Sequence, residues 1–345
     1  MMIAEIFKKA VSKGASDVHL IAGKPPVFRI DGELGLIAGL ETLNSKDIEE
    51  LIDSILEDEQ KERLFEKKEL DASFETPDKT RFRINCHFEK GKLGMVARII
   101  PAQIPTMEDL LMPEIVYDLT RKKQGLVLLT GPTGCGKSTS LAAMINLINK
   151  ERSAHIVTLE DPIEFVFDSD KSIIKQRQVG SDTLSFEEGL RHVLRQDPNV
   201  IMVGEMRDLE TISATLTLAE TGHLVFATLH TNNAAQTVDR IIDVFPPYQQ
   251  DQIRTQLSMV LSGVISQQLI PAKEGGRISA REIMIKSPAI SNLVRENKIP
   301  QIKSIIQTSA GDLMRTMDQD LDNLYKQGLI DREVANMYMI DGNVK

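Results

Sequence analysis

Gly131-Pro132-Thr133-Gly134-Cys135-Gly136-Lys137-Ser138-Thr139 carries the G-x-x-x-x-G-K-[ST] spacing of a phosphate-binding loop. In such a loop main-chain N–H groups wrap the phosphates, the lysine meets the terminal ones and the hydroxyl holds Mg²⁺. Gly134 and Gly136 allow backbone angles that a side chain forbids, so several amide protons converge on one anion. The flanks agree. Gly125-Leu-Val-Leu-Leu-Thr130 is a short apolar run that reads as a buried strand. Leu141, Met144, Ile145 and Ile148 then fall at i, i+3, i+4 and i+7, a helical stripe whose N-terminus points at the phosphates. Strand, loop and helix together imply a site for a nucleoside triphosphate.

The chain has 345 residues, 41% of them apolar, enough for two globular domains with sizeable cores. No stretch reaches the apolar length of a membrane span, and the opening Met-Met-Ile-Ala-Glu-Ile-Phe-Lys-Lys lacks a signal-peptide core, so a soluble cytoplasmic protein is expected. The only cysteines are Cys86, on a predicted strand, and Cys135, inside the loop. They provide neither a disulfide framework nor a cysteine zinc site. A formal charge of −9 argues against nucleic acid as the main partner.

In chain order, Ile3, Ile6, Phe7, Ala10 and Val11 predict a helix closed by Gly14, and Ser16 to Ile21 a strand. Val27–Ile30 and Leu34–Ile37 flank Asp31-Gly32, a hairpin pair. A helix capped by Asn44 or Ser45 carries Ile48, Leu51, Ile52 and Ile55. From Thr80 the period becomes two, with Phe82, Ile84, Cys86 and Phe88 alternating with Arg81, Arg83, Asn85 and His87; Leu93 to Ile100 is the partner strand and bears Arg98, in a register left open. This predicts a small α+β domain over 1–101, a linker over 102–112 and a second domain over 113–345, with a helix near Met107. Strands at 155–159, 200–203 and 223–229 alternate with helices, one of them opened by Ser185-x-x-Glu188 with Phe186, Leu190, Val193 and Leu194 inward and Arg191 beside Arg195. An α/β fold with a mainly parallel sheet covered on both faces follows. Beyond it, Ile253, Leu257, Val260, Leu261 and Val264 read as one helical stripe, a strand spans Arg277 to Ile285, and helices fall near Pro288, Ile299, Leu313 and Asp331.

In open α/β sheets ligands bind beyond the carboxyl ends of the strands, so Glu160, Glu164, Glu205 and His230 are expected near the γ-phosphate. Glu205, following an apolar strand, is the first candidate to orient water and share Mg²⁺ with Ser138. Gly204 stands where an aspartate is usual, so Glu160 or Glu164 shares those duties in a division the spacing leaves open. His230 suits a γ-phosphate sensor, with His223 a weaker candidate. Arg81, Arg83 and Arg98 are candidates to reach a phosphate in cis or across a subunit boundary.

Four blocks go beyond a generic phosphate loop: Gly131 to Thr139; Thr158-Leu-Glu-Asp-Pro-Ile-Glu-Phe165; Asp197-Pro-Asn-Val-Ile-Met-Val-Gly-Glu-Met-Arg-Asp208; and Thr221-Gly-His-Leu-Val-Phe-Ala-Thr-Leu-His-Thr-Asn232. With Ala15-Ser-Asp-Val-His-Leu20, they resemble the Walker A, aspartate-box, Walker B, histidine-box and early signatures of the secretion ATPase superfamily of type II secretion and type IV pili. Ala289-Ile-Ser-Asn-Leu-Val-Arg-Glu296 is similar to the AIRNLIRE element of its pilus-retraction branch, with Ser291 replacing an arginine. The short chain also lacks the four-cysteine insertion of the assembly branch. The resemblance implies a PAS-like first domain, a RecA-like second domain, ATP and Mg²⁺ as ligands, a homohexameric ring, and a cytoplasmic motor peripheral to the inner membrane, working on a membrane platform protein. It also implies roles for the three arginines, the three glutamates and both histidines. An assembly or type II secretion ATPase is the alternative within this class, and a nucleotide-binding regulatory subunit or a nucleic-acid translocase outside it.

Overall fold

The computed structural model describes residues 2–30, 32–37, 39–100, 103–309 and 313–341. The chain divides into two compact units, Met1–Gln103 with Pro162–Val166, and Ile104–Asp161 with Phe167–Lys345.

The first unit opens with α1 (Ile3–Ser12), which buries Ile3, Ile6, Phe7 and Ala10 and leaves Val11 exposed. Strands β1 (Asp17–Leu20), β2 (Val27–Ile30) and β3 (Glu33–Leu36) follow, then α2 (Ser45–Asp53), α3 (Asp58–Lys67), β4 (Glu69–Glu75), β5 (Arg81–Glu89) and β6 (Lys92–Ile100). All pairings are antiparallel, in the order β3-β2-β1-β6-β5-β4. Asp31 of the expected turn lies outside the described residues, as do Pro101 at the end of the expected first domain and Ala102 of the linker. Asn44, rather than Ser45, caps α2 by accepting from the N–H groups of Lys46 and Asp47. The highly polar α3 buries only Leu64, so its sequence offers no apolar stripe to find it by.

Alternation decides what this sheet does. Phe82, Ile84 and Cys86 point into the core, where Phe82 stacks on Phe7 with ring centroids 4.0 Å apart. The opposite face is polar. Register sets Arg83 across from Arg98, and Arg81 two residues along, so all three arginines share that face. Asp17, across from Arg98 on β1, is there too. It is buried, accepting from Arg98 Nε at 2.9 Å and Ser16 Oγ at 2.8 Å, with Arg29 Nε at 3.8 Å.

The second unit holds α4 (Glu114–Thr120), β7 (Gly125–Thr130), α5 (Lys137–Glu151), β8 (His155–Glu160), β9 (Ile173–Gln178), α6 (Phe186–Val193), β10 (Val200–Val203), α7 (Leu209–Glu220) and β11 (Leu224–Leu229). It continues with α8 (Ala234–Asp243), α9 (Pro247–Val260), β12 (Leu261–Pro271), β13 (Arg277–Ile285), α10 (Pro288–Arg295), α11 (Ile302–Thr308), α12 (Met317–Lys326) and α13 (Arg332–Tyr338). The sheet order is β13-β12-β7-β11-β10-β8-β9, parallel throughout except for the edge strand β13. Every residue of β7, β10 and β11 is buried, as both-sided coverage requires.

Four expectations need correction. The stripe from Ile253 to Val264 is not one helix: α9 stops at Val260, and Leu261 turns extended (ψ 112°) to start β12 against β7. Near Met107 there is one turn, begun by reciprocal bonds between Thr106 and Asp109 and ended where Leu111 takes φ +50° before Pro113. α6 ends at Val193, so Leu194 is 44% exposed, and Arg191 pairs with Glu187 and Glu188. Leu313 has φ +61°, and the helix expected there begins at Met317 behind its cap Thr316.

Asp17 yields a test of the first unit. Burial pushes its carboxyl up, but the bonds from Ser16 and Arg98 outweigh this and hold it below the ordinary 3.8. A depressed folded value adds stability that is complete above the ordinary carboxylate range and is lost as pH falls through the folded value. Asp17→Asn should therefore cost about 2 kcal/mol at neutral pH, with the deficit closing below about pH 4. Urea unfolding followed by circular dichroism reads it, and a deficit that ignores pH contradicts this account.

Candidate active site

The phosphate loop joins the tip of β7 to the first turn of α5. Gly136 is the N-cap of α5 at φ +85°, and Gly134 lies at φ +78°, both in the left-handed region the loop needs. Lys137 is 8% exposed, and its ammonium donates to the carbonyls of Gly131 (2.7 Å) and Pro132 (3.0 Å). The following Ser138 is half-buried, and its hydroxyl makes no hydrogen bond to any described residue. Thr133 and Gly134 are exposed at the loop's crown with Pro132. Cys135 is buried beneath them; burial pushes its thiol up, against the pull of Lys137, so it is a neutral thiol. Cys86 is likewise free and buried, pushed up to about 12.

Parallel strands carry the rest. Neighbours stand about 4.8 Å apart, and the order β7-β11-β10-β8 makes the next tips after the loop those bearing His230, Glu205 and Glu160. Side chains close the gaps. His230 Nδ1 lies 3.5 Å from Lys137 Nζ and His230 Nε2 lies 3.5 Å from Glu205 Oε2. Because an ammonium only donates, Nδ1 is the accepting nitrogen and the ring proton sits on Nε2, facing the carboxylate. Glu205 is 13% exposed, and Arg207, 72% exposed, holds the same Oε2 at 2.7 Å, which leaves Oε1 without a partner among the described residues.

Gly204 has a steric reason. It donates to the Leu159 carbonyl at 2.8 Å, and a Cβ there would sit 3.2 Å from that oxygen and 3.4 Å from Glu160 Cα. A side chain there would press on the β8 backbone, which would have to give by a few tenths of an ångström. Glu160 ends β8, buried, with Oε1 accepting from Thr158 Oγ1 (2.6 Å) and Gln176 Nε2 (3.1 Å).

The other candidates do not join this cluster within one unit. Glu164 belongs to the first unit with Arg81, Arg83 and Arg98. There Arg98 is committed to Asp17, while neither Arg81 nor Arg83 bonds or pairs through its side chain with any described residue. His223 precedes β11, at the end of the strand opposite His230. Its Nδ1 faces the Leu218 carbonyl at 3.0 Å, and its own carbonyl accepts from Gly125 at the start of β7. Sequence reasoning missed Arg207, whose signal was its place two residues after Glu205. It also missed Thr158 and Gln176 around Glu160, and Gln267 on β12.

The residues suit Mg²⁺: the donors are a free hydroxyl and a carboxylate oxygen, hard ligands of the kind that ion takes beside substrate phosphates and water. No group of three or more His, Cys, Asp or Glu that could hold a metal ion occurs among the described residues. Among those residues, no helix is long and apolar enough to cross a membrane.

The comparisons with known proteins point one way. The chain is 50% identical to the type IV pilus retraction ATPase PilT of Pseudomonas aeruginosa, over 97% of each chain. It is 49% identical to a twitching motility protein of Neisseria gonorrhoeae, over 91% of this chain and 84% of that one. A crystal structure of the pilus retraction motor PilT with bound ADP superposes with a TM-score of 0.92 at 48% identity, covering 99% of this chain and 98% of the other. Residues 1–297 match the family described as Type II/IV secretion system protein, and the chain belongs to that family.

Proposed function

We propose that this chain is an ATPase whose hydrolysis cycle drives pilus retraction. The observation that carries the chemistry is the line Lys137, His230 and Glu205 across adjacent strand tips at the phosphate loop. Near full-length likeness to a retraction ATPase supplies the process. Loop amides and Lys137 bind the β- and γ-phosphates. Ser138 Oγ and Glu205 are the groups that would hold Mg²⁺, which when bound spreads phosphate charge. Glu205 Oε1 orients the attacking water and takes its proton as the new bond to γ-phosphorus forms and the bond to the β–γ bridging oxygen breaks. His230, its ring between the lysine and the carboxylate, reports whether the γ-phosphate is present. Glu160, its carboxylate oriented by Thr158 and Gln176, shares the acidic duties.

Further parts of this reading concern assembly. Arg81 and Arg83, cations without a side-chain partner among the described residues, are suited to phosphates presented by another copy, and a homohexamer would supply such copies. The ring would work at the cytoplasmic side of the inner membrane against a platform protein there.

Two experiments test it. Lys137→Ala should weaken ATP binding by about 10- to 100-fold, the scale of one charge-assisted bond. Glu205→Gln should bind ATP normally and hydrolyse it about a hundredfold more slowly or worse. Normal turnover in Glu205→Gln with loss in Glu160→Gln or Glu164→Gln would move the principal role to those acids. Deleting the gene should leave pili present and unable to retract; loss of the pili themselves would favour an assembly motor, and turnover that requires DNA a translocase.

A further inference from the structure

Gln267 is 1% exposed on β12, the strand that flanks β7 on the side away from His230. Both polar atoms of its amide are engaged. Nε2 donates to the Cys135 carbonyl at 2.8 Å, and Oε1 accepts from Ser140 Oγ, in the first turn of α5, at 3.0 Å. β12 and the loop also meet backbone to backbone: a Cβ on Gly131 would lie 2.3 Å from the Gln267 carbonyl oxygen. Next door, Thr130 Oγ1 at the tip of β7 donates to Ser266 Oγ at 2.8 Å.

The consequence follows from peptide geometry. In a planar trans peptide the C=O and the next N–H point in opposite directions. Drawing the Cys135 carbonyl onto Gln267 therefore turns the Gly136 N–H away from β12. That N–H has no acceptor among the described residues and stands at the N-cap of α5, where helix-end partial charge favours an anion.

We propose that Gln267 is a positioning residue for nucleotide binding: it fixes the Cys135–Gly136 peptide so that the Gly136 N–H is aimed at phosphate, and it ties that peptide to α5 through Ser140. This deepens the ATPase reading and rests on it. A residue that merely filled space would be replaceable by one of its own volume. Gln267→Met keeps the volume but removes the donor, and leaves a buried carbonyl seeking another partner. Gln267→Glu keeps the shape and, when ionised, opposes the Cys135 carbonyl with a second acceptor; when protonated it regains a donor.

The test measures ATP and ADP affinity by calorimetry, and steady-state kinetics, for wild type and both variants between pH 6 and 8, with circular dichroism and melting curves to establish folding. Gln267→Met should bind both nucleotides about tenfold more weakly, with KM raised and kcat within about twofold, the pattern of lost uniform binding. Gln267→Glu should be weaker still at pH 8 and should recover toward wild type as pH falls, because burial raises a carboxyl's pKa and the neutral acid donates. Folded Gln267→Met with wild-type affinity, or a Gln267→Glu deficit that ignores pH, overturns the proposal. Should Gln267→Met fail to fold, the pH response of Gln267→Glu decides alone. Failure of the wild type to bind nucleotide is a different result, since it removes the nucleotide reading itself.

Discussion

A parallel strand in the middle of a sheet must be hydrogen-bonded on both edges and covered on both faces, and β7 obeys this constraint with every residue buried. Its tip is therefore rigid. The loop that leaves it is held from two sides, by β11 and β10 through His230 and Glu205, and by β12 through Ser266 and Gln267. A glycine-rich loop unsupported in this way would lose its convergent amides to conformational entropy.

The two sides do different work. Toward β11 the contacts are long, 3.5 Å from Lys137 to His230 and from His230 to Glu205, and His230 is 46% exposed. Such contacts rearrange at little cost when a phosphate arrives. Toward β12 they are short and fully buried, where breaking one costs the desolvation of an orphaned carbonyl or hydroxyl. On the proposed reading, the looser side is the one free to respond to a ligand and the tighter side the one that keeps the loop in shape.

The same division explains what the sequence could disclose. The loop, its strand and helix, and the strand-tip residues Glu160, Glu205 and His230 were legible because buried parallel strands are largely apolar runs and an acid or histidine follows each of these three within two residues. β12 was not. Its first seven residues are buried, so it shows no alternation, and its opening apolar residues continue the period of α9. Only Gly263 and the adjacent β-branched pair Val264-Ile265 argued for a strand. Gln267 was hidden with it, since a glutamine three residues past the stripe carries no signal of burial. Register was equally silent until the sheet was seen: Arg98 shares a face with Arg81 and Arg83 only because β5 and β6 turn through the tight connection at Lys90-Gly91.

That shared face has an electrostatic consequence of its own. Arg83 and Arg98 sit directly opposite one another, an arrangement that costs stability unless anions intervene. Asp17 neutralises Arg98, with Arg29 as a second neighbour, but no acid among the described residues pairs with Arg83 or Arg81. Glu75, across from Arg81, bonds instead to Lys79. A sheet face chosen for stability alone would place a carboxylate against each guanidinium, as it does for Arg98. Two guanidiniums left without an acid among the described residues fit the phosphate-meeting role proposed for them, because a guanidinium already paired to a carboxylate has fewer donors to offer a second anion.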